Sequence, residues 1–442
     1  MANSSRWSRL GLATLSATVI VAYSYAGSGP LRAITSTVSD TTGYIGLTAW
    51  ILDGRPADMH EVPWRCREFP AGYPAAIAAL FKIGLATPGG LLALNFISLA
   101  IGLWASWILL RRAWKMSVDA TWSVLLLMAA STVCGELAVS VASEMLFFAA
   151  SLVALAAAEI YGTRENERWE KADPVEPSRM QRGETPSFSV EPRSDSSLRP
   201  LPLALSLLAS AAAVSIRAAG IALVPAILWA LLTHPILKRV GWRRILAVVA
   251  LPAALALWFG VARILRSEYV ANILAARYSS GTAWDVIALQ QLTKVSAFGE
   301  LFTNLRAEDF RTAYRGEFVL GGLLCLAIIL GGFWTRVCRL RSLDVYLMSY
   351  AAVIFIYPFF TYGSSRRFWF PVLPFVFGLA YLAITRLREK SSRLRRWVGP
   401  ALAIYVSAFV LFGCARSIEL SQFERQTDQV AAKALAGLRS NR

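Results

Sequence analysis

Asp40 opens a segment in which Tyr44, Leu47 and Ile51 follow at spacings of four, three and four, the recurrence of one helix face. At the start of a helix, backbone donors and the helix dipole stabilise an ionised carboxylate and leave it able to take a proton. The same place suits a plain N-cap, for which Asp is among the preferred residues. Far along the chain stand Arg217 and the consecutive Arg366 and Arg367. A planar guanidinium grips phosphate through two donors at once, so these residues suit a phosphate-bearing substrate. At a membrane surface the same side chains also serve as anchors to lipid headgroups. Glu144 falls within an apolar run, where a carboxylate is costly and by default a functional candidate. Its plain alternative is a neutral, hydrogen-bonded acid. Asp58, His60 and Glu61 have the donor types to hold a divalent ion, although a loop His needs no such role.

The elements that position these residues follow from composition. Of 442 residues, 56% are hydrophobic and 17% charged, and the mean hydropathy is +0.49. Soluble domains average about 45–50% apolar and about 25% charged. Such an excess does not fit inside one globular core, so the chain reads as an all-α polytopic membrane protein. The net charge of +17 does not point to nucleic acid, because the basic residues fall in short connectors between apolar runs. These are Arg111, Arg112 and Lys115; Lys238, Arg239, Arg243 and Arg244; Arg336, Arg339 and Arg341; and the cluster from Arg386 to Arg396. That is the positive-inside pattern.

Apolar windows predict eleven spans, near 10–27, 88–110, 120–135, 137–159, 201–216, 218–233, 245–262, 316–334, 343–360, 368–385 and 397–414. Glu144 then lies eight residues into the 137–159 span. With the basic connectors inside, the N-terminus is inside, and loop 28–87, loop 263–315 and tail 415–442 are outside. Gly72 to Leu85 is apolar but short and interrupted by Lys82, which predicts an interfacial or re-entrant helix. Leu201 to Leu232 would make one helix of about 48 Å, too long for a single span, so it is expected to split at Arg217.

The chain thus divides into an N-terminal transmembrane part, 1–160, a cytoplasmic linker, 161–200, and a C-terminal transmembrane part, 201–414, before the tail. The linker is rich in proline and mixed charge and buries too little to order itself. In the tail, Val430, Ala434 and Leu438 recur at helical spacing. Arg6 and Arg9 precede an apolar run ending in SYAG, which resembles a signal peptide, but an uncleaved first helix is expected. Five Cys show no metal-ligand spacing. Cys66 pairing with Cys134 or Cys414 is a minor alternative to free thiols in helices.

Several of these segments together resemble the GT-C superfamily of integral-membrane glycosyltransferases, whose members share an Asp after the first helix, a D-x-x-x-Y-x-x-x-A helix and a PPGYP-like turn. Here Asp40, Tyr44, the Thr48–Ala49 pair and Gly54 are followed by Pro70, Gly72, Tyr73 and Pro74. Ala71 stands where a second proline is usual, and Ala49 is one position off. Downstream, SEMLFF (Ser143 to Phe148) is similar to a Ser-Glu motif, SIRAAGIAL (Ser215 to Leu223) to an Arg-x-x-Gly motif, and SSRRFWFPVLPF (Ser364 to Phe375) to the basic, aromatic opening of a late helix. Many relatives carry a second acid beside the first-loop Asp; here Thr41 follows, leaving Asp58 or Glu61 for that role, or no residue.

The resemblance implies a GT-C-like fold and an inverting, protein-mannosyltransferase-like enzyme. Its donor would be a polyprenyl- or dolichyl-phosphate-linked sugar, and its acceptor a glycan, lipid or protein. Asp40 would be the base, with Tyr44, Glu68, Tyr73, Glu144, Arg217, Arg366 and Arg367 binding substrate. No cofactor is certain; a divalent ion at Asp58, His60 and Glu61 stays open. The expected place is a bacterial inner membrane with the site on the periplasmic face. The alternative is a transporter or flippase for lipid-linked sugars, which would want paired intramembrane charges and repeated halves; no repeat is visible.

The charge pattern has a direct test. In single-Cys variants of intact cells, a membrane-impermeant maleimide is expected to label Cys66 and to reach Cys338 only after permeabilisation. The reverse pattern overturns the topology.

Overall fold

The computed structural model describes residues 2–28, 38–54, 70–172, 201–233, 284–305, 315–356, 365–390 and 392–423. The chain is helical: α1 (Ala2–Gly27), α2 (Val38–Leu52), α3 (Gly72–Lys82), α4 (Pro88–Arg112), α5 (Val118–Ala129), α6 (Thr132–Ala138), α7 (Glu144–Ala172), α8 (Leu201–Ile216), α9 (Leu223–Leu232), α10 (Trp284–Thr303), α11 (Arg315–Trp334), α12 (Ser342–Ile356), α13 (Ser365–Trp369), α14 (Leu373–Lys390) and α15 (Ser392–Phe423). Short 3-10 turns fill Ala218–Ala222, Val337–Arg339 and Phe370–Val372, and no strand occurs among the described residues. Among the described residues, six segments are long and apolar enough to cross a membrane: Leu10–Gly27, Pro88–Arg112, Glu144–Tyr161, Gly316–Trp334, Ser365–Lys390 and Arg396–Glu419. The bent pair α5–α6, with 62° between its halves, makes a seventh if counted as one span. The protein is therefore an integral, multi-pass membrane protein, all-α as expected.

Local sequence explains where helices start. Thr87 accepts from the Gly90 amide at 2.9 Å, with Pro88 in the first turn of α4. Ser117 and Ser131 cap α5 and α6 in the same way. Apolar side chains such as Leu320, Leu324, Trp334, Ile404 and Leu411 remain exposed on α11 and α15. In hydrocarbon these faces need no cover.

Glycine sets the closest approaches. A Cβ at Gly322 of α11 would collide with the Val295 carbonyl of α10, and one at Gly332 with the Leu379 carbonyl of α14. α11 therefore packs backbone-to-backbone against two neighbours, the small-residue contact that helices use where no hydrophobic effect drives association.

One expectation shifts. The apolar stretch 120–159 does not divide near residue 136. α6 ends at Ala138 and α7 begins at Glu144, so Glu144 opens its helix rather than lying two turns inside one. Cys134 and Cys414 are buried free thiols, and the Tyr23 hydroxyl donates to Cys134 Sγ at 3.0 Å; among the described residues neither pairs with another Cys. The segment 201–232 breaks as expected, Arg217 being extended (φ −146°, ψ 138°) between α8 and the 3-10 turn. The span near 245–262, most of the linker 161–200, Cys66 and the tail positions Val430, Ala434 and Leu438 lie outside the described residues.

The ends assigned to the inside are clasped by charge. The Asp344 carboxylate, fully buried, accepts from Arg336 Nε and Nη2 at 2.7 and 3.0 Å, Trp114 Nε1 at 3.0 Å and the Arg341 amide at 2.8 Å. Arg336 also donates to the Ala113 carbonyl at 3.3 Å and lies 5.2 Å from the Trp114 ring centre. Arg341 in turn pairs with Glu159 of α7 at 3.2 Å. Four helices, α4, α7, α11 and α12, are tied together there. Asp344→Asn removes the counter-charge of a buried arginine and is expected to cost about 3–5 kcal/mol, seen as earlier thermal unfolding in detergent. Arg386→Ala, from an exposed pair with Glu389 at 3.8 Å, is expected to change stability by less than about 1 kcal/mol.

Candidate active site

At the opposite ends of the helices, breaks in four segments bring side chains together. Glu144, the first residue of α7, is buried. Its carboxylate sits where the positive end of the helix dipole stabilises it. Arg217 reaches it at 2.6 Å and Arg367 of α13 at 3.8 Å. Both guanidinium carbons lie over the Phe368 ring, at 5.2 and 5.0 Å from its centre. The Arg217 and Arg367 side chains keep 15% of their surface accessible while Glu144 keeps 3%, so the guanidiniums, not the carboxylate, are what an incoming group meets.

Ser143 links this pair to α2. Its hydroxyl lies 2.9 Å from the Tyr44 hydroxyl and accepts from Arg217 Nη1 at 3.4 Å. The Tyr44 ring meets Tyr73 of α3 edge-on, with centres 5.0 Å apart and planes at 77°. Thr48 joins the two helices, its hydroxyl 2.8 Å from the Tyr44 carbonyl and 3.3 Å from that of Pro74. Close approach at the turn depends on glycine. A Cβ on Gly72 would lie 2.6 Å from the Ser215 carbonyl, and one on Gly220 would lie 2.6 Å from the Val214 amide nitrogen. These two glycines let α3 and the 3-10 turn fold tightly against the end of α8, where Arg217 leaves the helix.

Of the expected site residues, Tyr44, Tyr73, Glu144, Arg217 and Arg367 are thus brought together. Arg366 points elsewhere. It is buried, and its Nη2 donates to both Glu136 oxygens at 3.1 and 2.9 Å. Asp40 lies in the first turn of α2, a helix that runs to Leu52 and stops before Gly54, which adopts φ +65°. The Asp40 side chain and all of Asp58, His60, Glu61 and Glu68 lie outside the described residues. Among the described residues no group of three His, Cys, Asp or Glu side chains could hold a metal ion.

Glu136 carries no sequence signal beyond being an acid in the one-residue gap between the spans predicted near 120–135 and 137–159, eight residues before Glu144. Phe368 and Ser143 were visible only as letters within motifs. Among Glu144, Arg217 and Arg367, positive charge exceeds negative by one.

No protein-family model and no curated protein sequence matches the chain. Among solved structures, it is similar to ArnT from Cupriavidus metallidurans in the apo state, at 14% identity and a TM-score of 0.49, covering 95% of this chain and 78% of that one. The same protein bound to undecaprenyl phosphate matches at 15% identity and a TM-score of 0.46, covering 98% and 78%. The archaeal oligosaccharyltransferase AglB from Archaeoglobus fulgidus, in complex with an inhibitory peptide and a dolichol-phosphate, matches at 14% identity and a TM-score of 0.45, covering 95% of this chain and 56% of that one. At this level a likeness assigns neither activity nor residue roles to this chain.

Gly72→Ala is expected to push α3 off α8 and cost about 1–3 kcal/mol of stability, measured as a lower melting temperature in detergent. Gly399→Ala, where a Cβ meets nothing within 4 Å, is expected to be neutral or slightly stabilising.

Proposed function

We propose that this chain is an inverting glycosyltransferase that moves a sugar from a polyprenyl- or dolichyl-phosphate carrier to a lipid, glycan or protein acceptor at the outer face of the membrane. One observation carries this. Four short motifs from distant parts of the sequence meet in one hydrogen-bonded and ion-paired group of Tyr44, Ser143, Glu144, Arg217 and Arg367. The planar guanidiniums of Arg217 and Arg367 in such a group suit a lipid-linked phosphate.

In this mechanism Asp40, in the first outside segment 28–87, takes the proton of the acceptor hydroxyl. The acceptor oxygen forms its bond to the anomeric carbon as the bond from that carbon to the phosphate oxygen breaks. The electron pair leaves with the lipid phosphate, and Arg217 and Arg367 stabilise the charge that develops there. Tyr44, backed by the fully buried Tyr73, borders the sugar, Glu144 holds the two guanidiniums in a fixed geometry, and Arg366 braces α13 through Glu136. Glu68 is assigned to the same pocket by the motif resemblance. A bacterial inner membrane with the site on its periplasmic side fits this chemistry.

Purified protein in detergent, given undecaprenyl-phosphate-linked sugars and a membrane extract as acceptor, is expected to consume donor without any ion gradient. Asp40→Asn is expected to lower turnover by a factor on the order of 10²–10⁴ while undecaprenyl phosphate still binds. Arg217→Lys is expected to weaken that binding by about tenfold, since Lys keeps the charge but loses the two-pronged grip. Undiminished transfer by Asp40→Asn would sink the assignment of the base. Gradient-driven uptake of a lipid-linked sugar with no transfer product would instead favour the transporter.

A further inference from the structure

Lys294 lies on α10, outside the group described above, and its side chain is fully buried. A buried ammonium persists only where its donors are met. Lys294 Nζ donates to the Phe355 carbonyl at 2.8 Å and to Gln291 Oε1 at 3.3 Å, and Gln291 Nε2 donates to the same carbonyl at 3.2 Å. Phe355 is the penultimate residue of α12. Its carbonyl is one of the last four that a helix leaves without an internal partner, at the end where the dipole favours a cation. The preceding residue, Thr293, offers its carbonyl to the Ser365 hydroxyl at 3.4 Å, and Ser365 is the first residue of α13. One turn along α10, the Phe298 ring lies 4.6 Å from that of Trp369, the last residue of α13, which also meets Phe355 at 5.8 Å.

A single stretch of α10 therefore holds both ends of the connection between α12 and α13. α13 has five residues and runs through the 3-10 turn Phe370–Val372 into α14, so its start at Ser365 is the end that depends on α10 for its place. It carries Arg366 and Arg367. We propose that Lys294 is a positioning residue for this arginine pair: by fixing the end of α12 it sets where α13 begins, and so where Arg367 stands beside Arg217 and Glu144. It touches no substrate. The proposal rests on the assignment of Arg367 to a lipid phosphate, and its test separates the two.

The variant is Lys294→Met, similar in length without charge or donors. In purified full-length protein, amide hydrogen exchange over 365–372 is expected to quicken by about tenfold or more, with exchange over 88–110 unchanged. Affinity for undecaprenyl phosphate is expected to fall by about tenfold. Combined with Arg367→Lys, the loss is expected to be no larger than that of the stronger single variant, because both act through one guanidinium; a general loss of packing would add. If Lys294→Met does not fold, Gln291→Leu, which removes the second donor to the Phe355 carbonyl, is expected to shift exchange and affinity in the same directions by less. Unchanged exchange over 365–372, quickened exchange with unchanged affinity, or an additive double variant overturns the proposal. If the unaltered protein fails to bind undecaprenyl phosphate, the functional assignment falls and exchange alone decides the role of Lys294.

Discussion

Glu144 is a carboxylate removed from water at the head of a membrane helix, and it must be neutralised where it stands. Arg217 does this at 2.6 Å, and much of the surrounding architecture follows. Arg217 reaches Glu144 because α8 stops at Ile216 and the backbone becomes extended at the next residue. That break is sheltered by Gly72 and Gly220, whose missing Cβ atoms let neighbouring backbone close over it. Ser143 then couples the pair to Tyr44, and Phe368 lies under both guanidiniums. An interaction that serves the fold thereby presents cationic surface to whatever enters.

Interrupted helices recur at the same ends, and each interruption exposes backbone groups that hydrocarbon cannot satisfy. Buried side chains from other helices answer them. Asn304, itself at a positive φ of 62°, donates to the Ala130 carbonyl at 3.1 Å and accepts from the Thr132 amide at 2.7 Å, closing the break between α5 and α6. Asn95 of α4 donates to the carbonyls of Ala138 and Ser140 at 3.1 and 2.7 Å, closing the break before α7. Lys294 does the same at the end of α12. The seven-residue helix α6, held at both ends by asparagine, is in turn what aims Glu136 at Arg366. Asn95, Lys294 and Asn304 thus each meet backbone carbonyls at a helix break.

The other ends of the bundle obey a different constraint. There the clasp around Asp344 joins unbroken helix ends, and its aromatic and guanidinium partners leave the carboxylate fully buried. Arg336 and Arg341, from one of the basic connectors between apolar runs, serve as donors of this clasp. One end of the bundle is locked by charge and the other is built from joints.

The sequence by itself determined the class and much of the local structure. Membrane-length apolar runs, the helix over Gly72–Lys82, the stop before Gly54 and the break at Arg217 all follow from hydropathy, helix length and turn chemistry, which are local properties. It also singled out Arg217 and Arg367 as cations expected at the ends of apolar runs and Glu144 as an acid within one, while Tyr44 and Tyr73 stood out through the motif resemblance. Tertiary structure decided the rest. The run 120–159 is apolar almost throughout, so hydropathy cannot see that α6 ends at Ala138 and that Glu144 begins a helix. Arg366 and Arg367 are identical letters in sequence, yet successive residues of a helix point about 100° apart, and only packing sends one to Glu136 and the other to Glu144. The partners Glu136 and Arg366 lie 230 residues apart. An ion pair is a property of distance in space, and no pattern along the chain encodes it.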